Sequence, residues 1–207
     1  MLSTLRTIVQ EVNSARDLQE ALSIIVSRVQ KAMNTEVCSV YLLDPATNRY
    51  VLMATEGLYR KAVGRVSLGY SEGLVGLVGS REEPINLEDA PSHPRYRYFP
   101  ETGEERFRSF LGVPIIHHRR LMGVLVVQQR ESSRSFNEGE EAFLVTISAQ
   151  LSGVIAHSEA TGAIGGLSLT GEEAHDIGFD GVPGAPGVAI GTGVTVYPAA
   201  DLDLVPG

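Results

Sequence analysis

Leu111-Gly-Val-Pro-Ile-Ile-His117 and Leu121-Met-Gly-Val-Leu-Val-Val-Gln-Gln129 are two short apolar runs separated only by His118-Arg-Arg120. Runs this short and this rich in Val and Ile suit strands, and the basic polar residues between them suit a hairpin loop. Toward the C-terminus, Asn137-x-x-Glu140 reads as a helix cap. Behind it Phe143, Leu144, Ile147, Leu151, Val154 and Ile155 recur at three- and four-residue spacing, so a long helix closes the unit. Toward the N-terminus, Val37-Cys-Ser-Val-Tyr-Leu-Leu43 and Tyr50-Val-Leu-Met-Ala-Thr55 form a second strand pair, turning through Asp44-Pro-Ala-Thr-Asn48. Ser14-Ala-Arg-Asp17 reads as a capping box for a helix carrying Leu18, Leu22, Ile25 and Val29. Leu2, Leu5, Ile8, Val9 and Val12 make the stripe of an earlier helix. The order helix, helix, two strands, mixed middle, two strands, helix predicts an α+β fold, an antiparallel sheet with helices packed on one face.

At 207 residues the chain suits one to two domains, and 43% hydrophobic with 20% charged residues is globular composition. No apolar run approaches the ~20 residues of a membrane helix. The N-terminus, Met1-Leu-Ser-Thr-Leu-Arg6, lacks the basic region and apolar run of a secretory signal. A single cysteine excludes an internal disulfide and a multi-thiolate zinc site. These features predict a cytoplasmic protein with no membrane contact. All 17 Lys and Arg lie at or before Arg134, with 15 acids among them, whereas residues 135–207 hold ten acids and no Lys or Arg. That balance argues against a nucleic-acid partner. Arg95, Arg97, Arg106, Arg108, Arg119 and Arg120 cluster in sequence, but acids interleave with them.

Composition shifts near residue 160. The residues from Thr161 onward hold 11 of the 22 Gly and 4 of the 10 Pro. Residues 161–179 read as a Gly-rich acidic linker. Val188-Ala-Ile-Gly-Thr-Gly-Val-Thr-Val196 alternates as a strand does, so the chain is expected to stop just inside a second domain.

Ser109-Phe-Leu-Gly-Val-Pro-Ile-Ile116, Met122-Gly-Val-Leu-Val-Val127 and Phe136 followed by Glu140-Glu141 resemble the closing half of a GAF domain. Asn86-Leu-Glu-Asp-Ala-Pro-Ser-His-Pro-Arg-Tyr96 looks like that family's middle segment, and Glu72-Gly-Leu-Val-Gly-Leu-Val78 its short helix. The resemblance spans residues 1 to about 158, and implies a GAF sensory domain over residues 1–160. Gly181-Val-Pro-Gly-Ala-Pro-Gly-Val-Ala-Ile-Gly191 is similar to the opening of the phosphotransferase-system enzyme I domain, which would occupy residues 180–207. A GAF domain before that opening resembles the nitrogen-related enzyme I family, phosphoenolpyruvate–protein phosphotransferases. The resemblance implies a sensory module for a small nitrogen metabolite, glutamine or 2-oxoglutarate. It also implies a phosphocarrier protein as partner of the parent, and phosphohistidine and magnesium sites further along the chain.

For the fragment itself no catalytic residue, metal ligand or cofactor is expected. Gly73-x-x-Gly76-x-x-Gly79 lacks the Gly-Lys-Ser/Thr of a phosphate loop and reads as a tightly packed short helix. None of His93, His117, His118, His157 and His175 sits in the Gly-Gly-x-x-Ser-His run of enzyme I. His117 and His118 are expected to point to opposite faces of a strand. Cys38 reads as a core residue, and one cysteine cannot support methionine sulfoxide reduction by cysteine pairs. Gln129-Arg130 stands where cyclic-nucleotide GAF domains carry Asn-Lys. A pocket between sheet and middle segment would draw on Arg106 and Arg108 to clamp a carboxylate. Thr55, Asn86 and Ser109 would orient an amide or amino group. The amphipathic end helices predict a homodimer. Two alternatives stay open on the residues: a dimerisation module with a filled pocket, or a sensor of another signalling protein.

Overall fold

The computed structural model describes residues 2–130 and 135–162, together with strand positions 188–190 and 194–196. Two helices, α1 (Leu2–Asn13) and α2 (Leu18–Met33), lead into strands β1 (Val37–Asp44) and β2 (Arg49–Glu56). A short strand β3 (Ser67–Gly69), helix α3 (Gly73–Arg81) and strand β4 (Ile85–Leu87) follow. The unit closes with β5 (Ser109–His117), β6 (Arg120–Gln129) and the long helix α4 (Glu138–Ala160).

The six strands form one antiparallel sheet in the order β3-β2-β1-β6-β5-β4, so β1 and β6 are central. Helices α2 and α4 pack on one face of it, and α3 lies against the other. Alternate residues therefore serve different layers. Val124 and Val126 of β6 join Tyr41, Tyr50 and Phe110 in the cluster under α3, while Leu125 and Val127 alternate toward the helical face. Burial on both faces is why these strands are continuous apolar runs instead of alternating polar and apolar positions.

Local chemistry fixes the ends of the elements. Asn137 caps α4 in a full capping box, accepting from Glu140 N while the Glu140 carboxylate accepts from Asn137 N. The cap of α2 is Asp17, not Ser14: the Asp17 side chain accepts from Glu20 N, while Ser14 Oγ donates back to the carbonyl of Gln10 at the end of α1. Asp44 closes the β1–β2 turn by accepting from Ala46 N at 3.0 Å and Thr47 Oγ1 at 2.7 Å. In the β5–β6 hairpin His117 pairs with Arg120, leaving a two-residue turn of His118 and Arg119, at φ 47° and 65°. Positive φ at both positions is the type I′ geometry that usually selects Asn-Gly. The turn also corrects the expected separation of His117 and His118, because it folds their rings together edge to face with centroids 4.1 Å apart.

Contacts divide the chain into Met1–Ala163 and Ile164–Gly207. In the second unit β7 (Val188–Ile190) pairs antiparallel with β8 (Val194–Val196). The single strand expected over 188–196 is thus two paired strands, β7 and β8. The linker assignment and His175 lie outside the described residues.

Candidate functional site

Between β4 and β5 residues 88–108 form a strap over the face of the sheet that α3 also covers. Tyr96 and Phe99 of the strap pack on the cluster built from Tyr41, Leu68, Leu74, Phe110 and Val126. Backbone bonds hold the ends and middle: Ala90 N to Arg108 O at 2.7 Å, Arg108 N to Gln129 O at 2.7 Å, and Tyr59 N to Thr102 O at 3.1 Å. Arg97 Nε reaches Glu72 Oε1 at 3.3 Å, and Arg95 donates to the carbonyl of Ser71. Gly103, at φ 69°, turns the strap back toward the sheet, and a Cβ there would lie 2.8 Å from the Tyr59 ring.

Beneath the strap is a space of about 20 Å³ between sheet, α3 and strap. That is room for about one water. Its walls are aromatic, but polar groups converge on it: Tyr41, Arg97, Glu104 and Gln128, with the first turn of α3 at Gly73, Leu74 and Val75. The N–H groups of a first helical turn have no partner inside the helix. Here the N-cap side chain supplies none either, because Glu72 instead accepts from Gly69 N at 2.9 Å. Gly73 sits at φ 66°, and a Cβ on it would be 3.4 Å from the Arg97 Cβ, so strap and helix end are in close contact. Gln128 is 5% exposed. Burial pushes the Tyr41 hydroxyl pKa up, and the charge of Glu104 adds to the shift.

The tether between strap and α3 is ionised at neutral pH. The N–H of Gly69 holds the Glu72 carboxyl below its usual 4.5, with Arg97 and Arg49 adding to this against the opposing cost of burial. A depressed carboxyl stabilises the fold above its unfolded pKa, and that contribution is lost as pH falls through the folded value. The melting temperature should therefore fall more steeply below about pH 4.5 in the native chain than in Glu72→Gln. Parallel pH curves for the two proteins would contradict this role of Glu72.

The five residues expected at the site do not meet there. Thr55 is buried and its Oγ1 shares a 2.8 Å hydrogen bond with Ser39 Oγ. Asn86 ties β4 to the segment entering α4, donating to Phe136 O at 2.7 Å and accepting from Phe136 N at 3.3 Å. Ser109 is buried with its Oγ 3.5 Å from the carbonyl of Glu88. Arg106 is exposed over the Phe107 ring, and Arg108 pairs with Asp89 at 3.0 Å on the surface. Arg97 and Gln128 carried faint signals, as a member of the arginine cluster and the neighbour of Gln129-Arg130. Glu104 carried none. Cys38 is wholly buried, and burial with the nearby Glu56 charge pushes its thiol pKa far up, as suits a core residue. Among the described residues no group of three or more His, Cys, Asp or Glu could hold a metal ion. They therefore do not fit the magnesium implied for the parent. Nor is any described helix long and apolar enough to cross a membrane.

The GAF domain family model matches residues 17–155. The chain belongs to the GAF domain family. The GAF domain of a phosphoenolpyruvate-protein phosphotransferase from Coxiella burnetii shares 52% identity with it, with a TM-score of 0.75 over 78% of this chain and 96% of that one. A Salmonella typhimurium protein described as "Phosphoenolpyruvate-dependent phosphotransferase system" is 49% identical over 98% of the chain. The chain spans 27% of that relative's length. Free methionine-R-sulfoxide reductase from Neisseria meningitidis, at 19% identity and a TM-score of 0.66 over 76% of this chain and 89% of that one, shares the GAF fold alone.

Proposed function

We propose that this GAF domain is the regulatory module of a longer cytoplasmic phosphoenolpyruvate–protein phosphotransferase of the nitrogen phosphotransferase system. In this reading a small nitrogen metabolite, glutamine or 2-oxoglutarate, binds under the strap. Binding modulates autophosphorylation from phosphoenolpyruvate and transfer to a phosphocarrier protein. The observation that carries the reading is the convergence of Glu104, Gln128 and the α3 N-terminus on the space beneath the strap, with the Arg97–Glu72 pair at its rim, where a plain core would bring apolar groups alone. A thermal-shift series on the 207-residue chain with glutamine, 2-oxoglutarate and cyclic nucleotides tests it. A binder present at 100 times its dissociation constant stabilises by about 2.7 kcal/mol. No shift with either nitrogen metabolite would contradict the reading. The phosphohistidine and magnesium chemistry of the parent belongs to chain beyond the GAF domain, so labelled phosphoenolpyruvate should leave this chain unlabelled and label a chain extended through the enzyme I domain.

A second reading, assembly as a homodimer through α1 and α4, is favoured by the small volume under the strap and by the surface of α4. From Ala142 to Ala156 that helix has no charged residue, and Val145 is 40% exposed. Leu2 on α1 is 85% exposed, and of that helix only Ile8 and Val12 are buried. Light scattering should give twice the chain mass at tens of micromolar, and Val145→Arg should halve it. A monomer at that concentration would contradict assembly.

A further inference from the structure

We propose that residues 91–101 of the strap are a lid over the cavity and that the Arg97–Glu72 ion pair is the latch that holds it shut. The assignment rests on the sensor reading above, because it names the entrance through which a ligand reaches the site. The space of about 20 Å³ is too small for a metabolite, so a wall of it must move before anything larger than water enters. The sheet wall is the centre of the fold, with Tyr41 on β1 and Val126 on β6. The α3 wall is tightly packed, with Leu74, Val75, Leu77 and Val78 at most 6% exposed, so lifting it would put four aliphatic side chains into water. The strap contributes Tyr96 and Phe99, which are only partly buried on the same cluster. Openings of low cost are drawn from segments that expose little apolar surface, and the strap is that segment here.

The two ends of this segment are fixed. Ala90 and Thr102 are each 1% exposed; Ala90 N donates to Arg108 O at 2.7 Å, and Thr102 O accepts from Tyr59 N at 3.1 Å. Between them Pro91, Pro94 and Pro100 each fix a backbone angle and lack an N–H, which stiffens the segment and reduces the bonds it can make to a neighbour. Arginines tie the middle down: Arg95 donates to the Ser71 carbonyl, and Arg97 Nε lies 3.3 Å from Glu72 Oε1. Both partners belong to the turn that leads into α3. The pair closes directly against the helix, because a Cβ on Gly73 would be 3.4 Å from the Arg97 Cβ. Glu72 is held ready for it by Gly69 N at 2.9 Å, and that bond together with Arg97 keeps the carboxylate ionised. With side chains 66% and 28% exposed, the pair is a weak one. A latch needs that weakness: it biases the closed state without locking it.

The test is the rate at which a thiol-specific reagent labels a cysteine placed under the lid, in the 207-residue chain carrying Val126→Cys. Val126 is 2% exposed on the cavity wall, and Cys38, 0% exposed, reports global unfolding in the same molecule. The introduced thiol should react faster than Cys38. Adding Arg97→Ala or Glu72→Gln should speed its reaction about two- to fivefold, the range for losing an exposed ion pair, and leave the Cys38 rate unchanged. Glu72→Gln keeps an acceptor for Gly69 N, so it removes the charge alone. Arg97→Lys should keep the slower rate. Salt at about 1 M should speed the reaction where the pair is intact and leave both latch variants unchanged, which a merely structural role would not produce. In chains that keep Val126, amide exchange of Phe99, whose N–H reaches Glu104 outside the lid at 3.3 Å, should rise by the same factor. The latch is overturned if Arg97→Ala and Glu72→Gln leave the rates where they were. The lid is overturned if the introduced thiol reacts no faster than Cys38. No ligand enters these measurements, so their failure and the failure of the sensor reading are told apart.

Discussion

Leu151→Ala should lower the unfolding free energy by about 3–5 kcal/mol, the upper part of the range for truncating a fully buried leucine. Leu151 is 0% exposed in the middle of α4, in line with Leu144 and Ile147, which are also 0% exposed. The helix lies on β5 and β6 and against α2, so the missing atoms would leave a hole walled by three elements. The capping box at Asn137 and the Asn86–Phe136 bonds fix the start of α4, which limits how far the helix can collapse into that hole. Chemical denaturation should show the midpoint falling with the slope unchanged. A loss below about 1 kcal/mol would mean that α4 is packed loosely on the sheet.

Gly123→Ala is expected to cost about 3 kcal/mol or more, for the opposite reason. Gly123 is on β6 at the centre of the sheet, opposite Leu42 of β1 and Ile115 of β5. A Cβ there would lie 2.1 Å from the Tyr41 carbonyl oxygen and 3.1 Å from the Leu42 Cα. Both atoms are backbone of the neighbouring strand, so no rotamer change relieves the clash and β1 itself must move away from β6. Glycine inside a strand commonly marks such a close backbone approach. Tyr41 also walls the cavity, so the same substitution should distort the space under the strap. An alanine variant melting with the native chain would show that the strands can separate locally at little cost.

The framework was legible because its signals are local. Apolar runs such as Met122 to Val127 mark strands buried on both faces, and the Asn137–Glu140 box marks the start of α4. Two local readings slipped where neighbouring residues offered equal chemistry. Ser14 and Asp17 can both cap a helix, and only the tertiary path shows that Asp17 does so. His118-Arg119 holds a turn type whose usual sequence mark is Asn-Gly. The site was harder to read because the strap has no periodicity. Whether a strap residue faces the sheet is set by distant tethers, such as Tyr59 to Thr102 and Arg97 to Glu72. These place Glu104 on the cavity and leave Arg106 and Arg108 exposed. Strand parity decides the rest. Gln128 meets the cavity, while the adjacent Gln129 donates to Asn34 O at 3.0 Å. A one-residue difference separates a place on the cavity from a structural contact, and composition does not resolve it.

The most direct test of the sensory account is to titrate L-glutamine and 2-oxoglutarate into the isotope-labelled 207-residue chain and follow every backbone amide by NMR. The account predicts saturable shifts concentrated at Gly73–Val75 of α3, at Gln128, and along the strap from His93 to Arg106, with α1 and the exposed face of α4 little changed. Spectra unchanged by both compounds, or shifts confined to α1 and α4, would contradict it.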